Sequence, residues 1–240
     1  FQFKVQHEAD AQKDPQSKSS ATDAGTKSMP LHLRCAKERE TMFLQHDDEV
    51  LSLAFSPDGR RLVAAGEDTK VTVWDIREQK KEMEEAMGGA IVAVDYAPSG
   101  NHVAAVDASS CVTLWRTSTY EKLGSLQAEA DVLSLSLCSK PDELLAVGTT
   151  TKKVVLYSIP DFTNIAELRH DGHVHGLSFS LDGGMLAGGG GTDIHCGLMT
   201  NKTKNAEMKT VIWRVSADPE KCKYLGSVLF NDIIHAAAFS

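Results

Sequence analysis

The sequence predicts an all-β chain of repeated four-stranded antiparallel units, and three observations carry that prediction. A pattern returns at a fixed interval: Phe55, Tyr96, Leu137 and Phe179 are 41, 41 and 42 residues apart, and Trp74, Trp115 and Tyr157 are 41 and 42 apart. Apolar residues inside each copy alternate with period two, the signature of strands packed on one face. Turn chemistry punctuates the copies, as in "SPDG" at Ser56 to Gly59 and "EDTK" at Glu67 to Lys70. Helical repeats of similar length lack the alternation. Four strands in roughly 40–45 residues is the period of a propeller blade.

Each element then follows in order. "FQFKV" at the start and "LHLR" ending at Arg34 read as strands of a partial blade, residues 1–32. The polar stretch 7–28 between them has few large apolar residues and is expected to be a flexible loop. Residues 33–240 hold repeats near 46–86, 87–127, 128–169 and 170–229, with a truncated copy, "IIHAAAFS", in 230–240. In the first full copy Val50 to Phe55 alternates, Leu62 to Ala65 is apolar, and Val71 to Trp74 closes the pattern. "EQKKEMEEAM", Glu78 to Met87, has helical propensity. Its place between a repeat tryptophan and the next inner strand makes it an outer strand with flanking loops.

The second and third copies run from Ile91 to Trp115 and from Val132 to Tyr157, and the fourth from Val174 to Trp213. From repeat phenylalanine to repeat tryptophan takes 19 residues in the first copy and 34 in the fourth. The extra residues fall within Gly188 to Glu207, between the second and third strands. The glycine run Gly188 to Gly191 reads as a turn freed of Cβ constraints.

Bulk properties narrow the function classes. A formal charge of -8 and a pI near 5.6 argue against a nucleic-acid binder held by phosphate neutralisation. No apolar run approaches the ~20 residues of a membrane span, and no signal peptide is evident. The chain begins with Phe1 and is expected to be part of a longer polypeptide. Five widely spaced cysteines without a C-x-x-C pair suit reduced thiols, hence a cytoplasmic setting or the cytosolic face of an organelle.

His46, Val50, Ser52, "FSPDG", Asp68 and the Trp74-Asp75 pair resemble a complete repeat of the WD-repeat β-propeller family, over about Leu33 to Ser240. The resemblance implies a β-propeller of four-stranded antiparallel blades, about seven in the full ring by family habit, with five or six left open. This chain would cover part of that ring. It also implies a structural hydrogen-bond chain of His46, Ser52, Asp68 and Trp74, whose polar groups need partners once buried. The second repeat departs from this pattern with Met87, Ala93 and Ser109, and the third with Ala128, Ser134, Thr151 and Tyr157. The fourth keeps His170 and Trp213 but has Gly176, with Glu207 near the aspartate position. Apolar packing between neighbours must carry those blades.

No residue set reads as catalytic. Ser52, His46 and Asp68 invite a hydrolase reading, but no nucleophile motif surrounds the serine. The glycine run lacks the lysine spacing and helix of a P-loop. His170, His173, His175, His195 and Cys196 supply no four-ligand element at zinc spacing. The expectation is a non-catalytic scaffold for protein–protein interaction in a larger complex, with no cofactor, metal, nucleic acid or small-molecule substrate. Its candidate partner-binding residues are Asp47, Asp48 and Glu49, whose charge suits a basic peptide. Gly190, Asp193, His195, Lys202 and Lys204 of the fourth-repeat insertion join them, because binding concentrates in loops held by rigid strands. A second reading is an exchange factor for a small GTPase of vesicle transport. It rests on a similarity of "GGGG" and the lysine-bearing loop to a loop in the membrane-anchored WD-repeat exchange factor of COPII coats.

Overall fold

The computed structural model describes residues 30–34, 41–191 and 208–230, with side chains for 43–191 and 209–229. The chain divides into two units, Phe1–Val50 and Leu51–Ser240. In the first, β1 (Pro30–Arg34) and β2 (Thr41–Gln45) pair antiparallel, with Pro30 opposite Gln45 and Arg34 opposite Thr41. Leu44 is buried and its neighbours Phe43 and Gln45 are exposed, the alternation of a sheet with one covered face.

The second unit is built on four four-stranded sheets, each an antiparallel meander in chain order. Sheet 1 comprises β3 (Val50–Phe55), β4 (Arg61–Gly66), β5 (Lys70–Asp75) and β6 (Lys80–Ala86). Sheet 2 comprises β7 (Ile91–Tyr96), β8 (His102–Asp107), β9 (Cys111–Arg116) and β10 (Glu121–Gln127). Sheet 3 comprises β11 (Val132–Cys138), β12 (Leu144–Thr149), β13 (Lys153–Ser158) and β14 (Asn164–Arg169). Sheet 4 comprises β15 (His173–Phe179), β16 (Met185–Gly191), β17 (Met208–Arg214) and β18 (Lys223–Phe230). A single 3₁₀ turn, Pro219–Lys221, is the helical content of the described residues. The expected fold class, an all-β propeller of four-stranded antiparallel blades, is what the sheets form. "EQKKEMEEAM" is strand β6 with its flanking residues, so tertiary pairing overrides its helical propensity.

Middle strands are buried on both faces, and consecutive sheets share their cores. Val63, Ala65, Val71 and Val73 of sheet 1 pack with Ile91, Tyr96, Val103 and Trp115 of sheet 2. Ala104, Val106, Val112 and Leu114 repeat the arrangement against Leu135, Leu137, Leu145 and Tyr157 of sheet 3. Leu144, Ala146, Val154 and Leu156 do so against Val174, Leu186, Val211 and Trp213 of sheet 4. Trp115, Tyr157 and Trp213, at the recurring aromatic position, therefore each face the sheet that precedes their own. Burying one such side chain is worth about 1.5–3 kcal/mol, so each interface accounts for much of its sheets' stability.

The glycine run differs from its expected form. Gly188 to Gly191 is buried interior of β16, paired with Val211, Thr210, Lys209 and Met208 of β17, and is not a turn. The missing side chains make room for neighbours. A Cβ on Gly188 would stand 2.8 Å from the Trp213 ring, and one on Gly190 would stand 1.8 Å from the His173 carbonyl oxygen.

Candidate interaction face

The second-to-third strand turns of sheets 1 to 3 and the connections between successive sheets gather on one edge, because their backbones bond to one another. Met87 N–H donates to the Thr69 carbonyl, Ala108 N–H to Ala90, Ala128 N–H to Ser110, Thr150 N–H to Asp131 and His170 N–H to Lys152, at 2.7–3.0 Å. Side chains tighten the edge. Asp107 Oδ1 accepts from Ser109 N–H, the Ser109 hydroxyl and Cys111 N–H, and Ser110 Oγ accepts from Val132 N–H at 3.1 Å. His170 Nδ1 accepts from Gly172 N–H at 3.0 Å, and Nε2 lies 3.3 Å from the Lys209 carbonyl.

What this edge presents outward is acidic. Glu67, Glu129, Asp131 and Asp171 are exposed, against Lys152 among the exposed side chains of these connections. Asp171 bonds Lys209, which holds its carboxyl below the usual carboxylate range. Of the residues chosen from sequence, Asp47, Asp48 and Glu49 are exposed in the β2–β3 connection, where Asp48 Oδ1 accepts from Glu49 N–H at 2.8 Å. Gly190 is a correction. It is buried within β16 and has no surface to offer a partner. Asp193, His195, Lys202 and Lys204, like the polar stretch 7–28, Glu207 and "IIHAAAFS", lie outside the described residues.

The residues assigned to a structural hydrogen-bond chain are placed as follows. Ser52, on β3, accepts from Val94 N–H at 3.1 Å. Asp68 accepts from Lys70 N–H in the β4–β5 turn, and Trp74 is buried on β5 with Lys81 Nζ 5.3 Å from its ring centre. His46 is buried in the first unit. Where the pattern lapses, the structure substitutes another bond. Trp115, whose repeat has Ala93 in place of serine, donates its indole N–H across the sheet boundary to Glu85 Oε2 at 2.8 Å.

First strands β3, β7, β11 and β15 line a cavity of about 520 Å³, with Ser52, Asp95, Ser134, Ser136, His175 and Ser178 among its walls. Each of these strands is tied to the next by a side chain. Ser52 holds Val94, Asp95 Oδ2 accepts from Leu137 N–H at 2.8 Å, and the Ser134 hydroxyl donates to the Val174 carbonyl at 2.9 Å. Burial pushes the Asp95 carboxyl up to about 6, although Leu137 N–H, Tyr96 N–H and the Ser136 hydroxyl all favour its charged form. Sequence reasoning passed over Asp95 and Glu85. A lone acid in the apolar run "IVAVDY" was the available signal for the first; the second depends on register between sheets.

Comparison with known proteins agrees with the fold. A β-propeller family model described as "Nucleolar protein 10-like, N-terminal domain" matches residues 11–167. Protein FIZZY-RELATED 2 of Arabidopsis thaliana is 26% identical over 167 residues, covering 67% of this chain and 35% of that protein. "Cell division cycle 20.5, cofactor of APC complex", also of Arabidopsis thaliana, is 27% identical over 164 residues, covering 63% of this chain and 36% of that protein. The chain thus spans about a third of the length of these curated relatives. A solved structure of Kuenenia stuttgartiensis hydrazine synthase superposes with a TM-score of 0.66 at 15% identity, over 78% of this chain and 57% of that one. That likeness concerns the fold alone.

Proposed function

Because the chain belongs to the β-propeller family of nucleolar protein 10-like N-terminal domains, we propose that it is a non-catalytic interaction module of a multiprotein complex. Its connecting loops would dock a basic segment of a partner protein. The observation that supports this most is the acidic edge of Glu67, Glu129, Asp131 and Asp171, fixed in place by backbone bonds between connections. Rigid strands carrying charged loops suit recognition, since preorganised charge steers encounter and sets specificity. A relative whose name gives it as a cofactor of the APC complex supports membership of an assembly, without identifying this protein's own. The exposed triplet Asp47 to Glu49 is a separate acidic surface of the first unit. Among the described residues no helix is long and apolar enough to cross a membrane. No observation favours the exchange-factor reading, whose glycine run is strand interior.

The test is charge reversal in the full polypeptide. Glu129→Lys with Asp131→Lys is expected to weaken capture of native partners about tenfold or more and to flatten the salt dependence of binding. Unchanged capture and an unchanged salt slope would sink the proposal. The cytoplasmic setting belongs to the same proposal, and a fluorescent fusion concentrated in the nucleolus would remove it.

A further inference from the structure

Sheet 3 lacks both the histidine and the tryptophan of the repeat pattern, and their loss leaves space. Met87, Ala128 and His170 are equivalent residues, each donating its N–H to a second-to-third strand turn of the preceding sheet. Met87 packs into the core that holds Trp115. His170 is buried, with its ring centre 6.2 Å from that of Trp213. Ala128 brings a single methyl group, and Tyr157 is slimmer than an indole. The result is a hollow of about 180 Å³ whose walls include Ala128, Val147, Val155 and Tyr157. A cavity of about 150 Å³ holds a benzene-sized guest, so this one admits a side chain.

The Tyr157 hydroxyl meets this hollow without a hydrogen-bond partner among the described residues, on a side chain only 7% exposed. Register explains why. The indole N–H of Trp115 reaches Glu85, which stands opposite Val71 on β6. The equivalent position for Tyr157 is Leu126 of β10, opposite Val112, and it offers no acceptor. Across its own sheet Tyr157 faces Asn164, whereas Trp74 faces Lys81 and Trp115 faces Lys122. A cation stands opposite the repeat aromatic in sheets 1 and 2 and is missing in sheet 3.

The charge around the hollow favours one. Glu129, on its wall, makes no ion pair among the described residues. Lys153 is matched by Glu167 at 2.7 Å. Thr149 Oγ1 is taken up by the Thr151 hydroxyl and the Lys153 carbonyl, at 2.9 Å each. Lys152, exposed in the adjoining turn, has the exposed Asp131 in the connection bonded to that turn. Burial pushes the pKa of the Tyr157 phenol up, and Glu129 and Glu167 push it further, so both carboxylates act on the hydroxyl.

A guanidinium suits these walls. It carries donors in a planar fork for the Glu129 carboxylate and the Tyr157 hydroxyl, and it stacks on aromatic faces. Its apolar stem can lie against Val147 and Val155. We infer that the hollow receives one arginine side chain of the basic partner segment, with Glu129 as counter-ion and the Tyr157 hydroxyl as acceptor. The inference rests on the reading of the acidic edge as the docking face and adds to it the residue type that anchors the partner.

The test uses the full polypeptide and two five-residue peptides, titrated by calorimetry. One runs lysine, glycine, arginine, glycine, lysine; the other has alanine at its centre. The arginine peptide is expected to bind about tenfold more tightly, the worth of one hydrogen-bonded charge. Tyr157→Phe should cut that advantage to about threefold or less while the melting temperature holds or rises by about 2 °C, because the lost hydroxyl had no partner. A melting temperature lowered by several degrees would show the hydroxyl bonded within the chain and overturn the inference. Ala128→Leu, which fills the hollow and leaves every charge in place, should abolish the advantage. An advantage that survives both changes overturns the inference as well. Glu129→Lys with Asp131→Lys separates the two readings. Weakening of both peptides by this reversal, with no arginine advantage in the natural form, removes the hollow and leaves the acidic edge standing. No weakening of either peptide removes both.

Discussion

At the residue scale, Asp95 shows how one side chain trades its own comfort for a tie between sheets. Its carboxylate bridges β7 to β11 through Leu137 N–H, yet the enclosure raises its pKa from 3.8 to about 6. A folded-state pKa above the unfolded value means that the folded chain binds the proton more tightly. Asp95 therefore contributes most at pH below 4, and that contribution is lost as pH rises through about 6. The difference amounts to about 1–3 kcal/mol. Asp95→Asn keeps an acceptor for Leu137 and removes the titration. The stability of the natural form minus that of the variant, from urea midpoints, should fall between pH 4 and 6 and level off above. A difference that is flat over this range would show that the carboxyl is better solvated than its surroundings imply.

At the element scale, strands were legible wherever alternation and turns agreed, and the misreading came where one residue type serves two purposes. β6 was readable against its own propensity because its place in the 41-residue period outranked composition. Gly188 to Gly191 was not, since a glycine run signals a turn as readily as a strand with no room for side chains. Two things decide between those readings, the Trp213 ring beside Gly188 and the His173 carbonyl beside Gly190, and both belong to other strands. Among the site residues, the exposed Asp47 to Glu49 of the first unit could be picked from charge alone, whereas the acidic edge of the second unit needed the sheets in register. Gly188→Val puts this to a test. Overpacking against a buried ring costs about 1–3 kcal/mol, and the turn reading expects nothing comparable. A thermal midpoint lowered by several degrees is the expected result; an unchanged midpoint would return the segment to the surface.

At the scale of the whole second unit, no sheet owns its core. Each hydrophobic cluster is shared by two consecutive sheets, and first-strand side chains stitch β3 to β7, β7 to β11 and β11 to β15. A lesion at one interface should therefore be felt beyond it, provided neighbour coupling exceeds the intrinsic stability of a lone sheet. Leu156→Ala removes a fully buried side chain between sheets 3 and 4 and should cost about 2–5 kcal/mol. Trp74, Trp115 and Trp213 place fluorescent probes in sheets 1, 2 and 4, on either side of the lesion. With single-tryptophan versions, the urea midpoints reported by Trp74 and Trp213 should shift together, with the same slope, as one cooperative transition requires. A shift confined to Trp213 would mean that the sheets unfold as separate modules. The loops of the acidic edge would then ride on units that open independently, and a partner spanning several connections would have to supply the ordering itself.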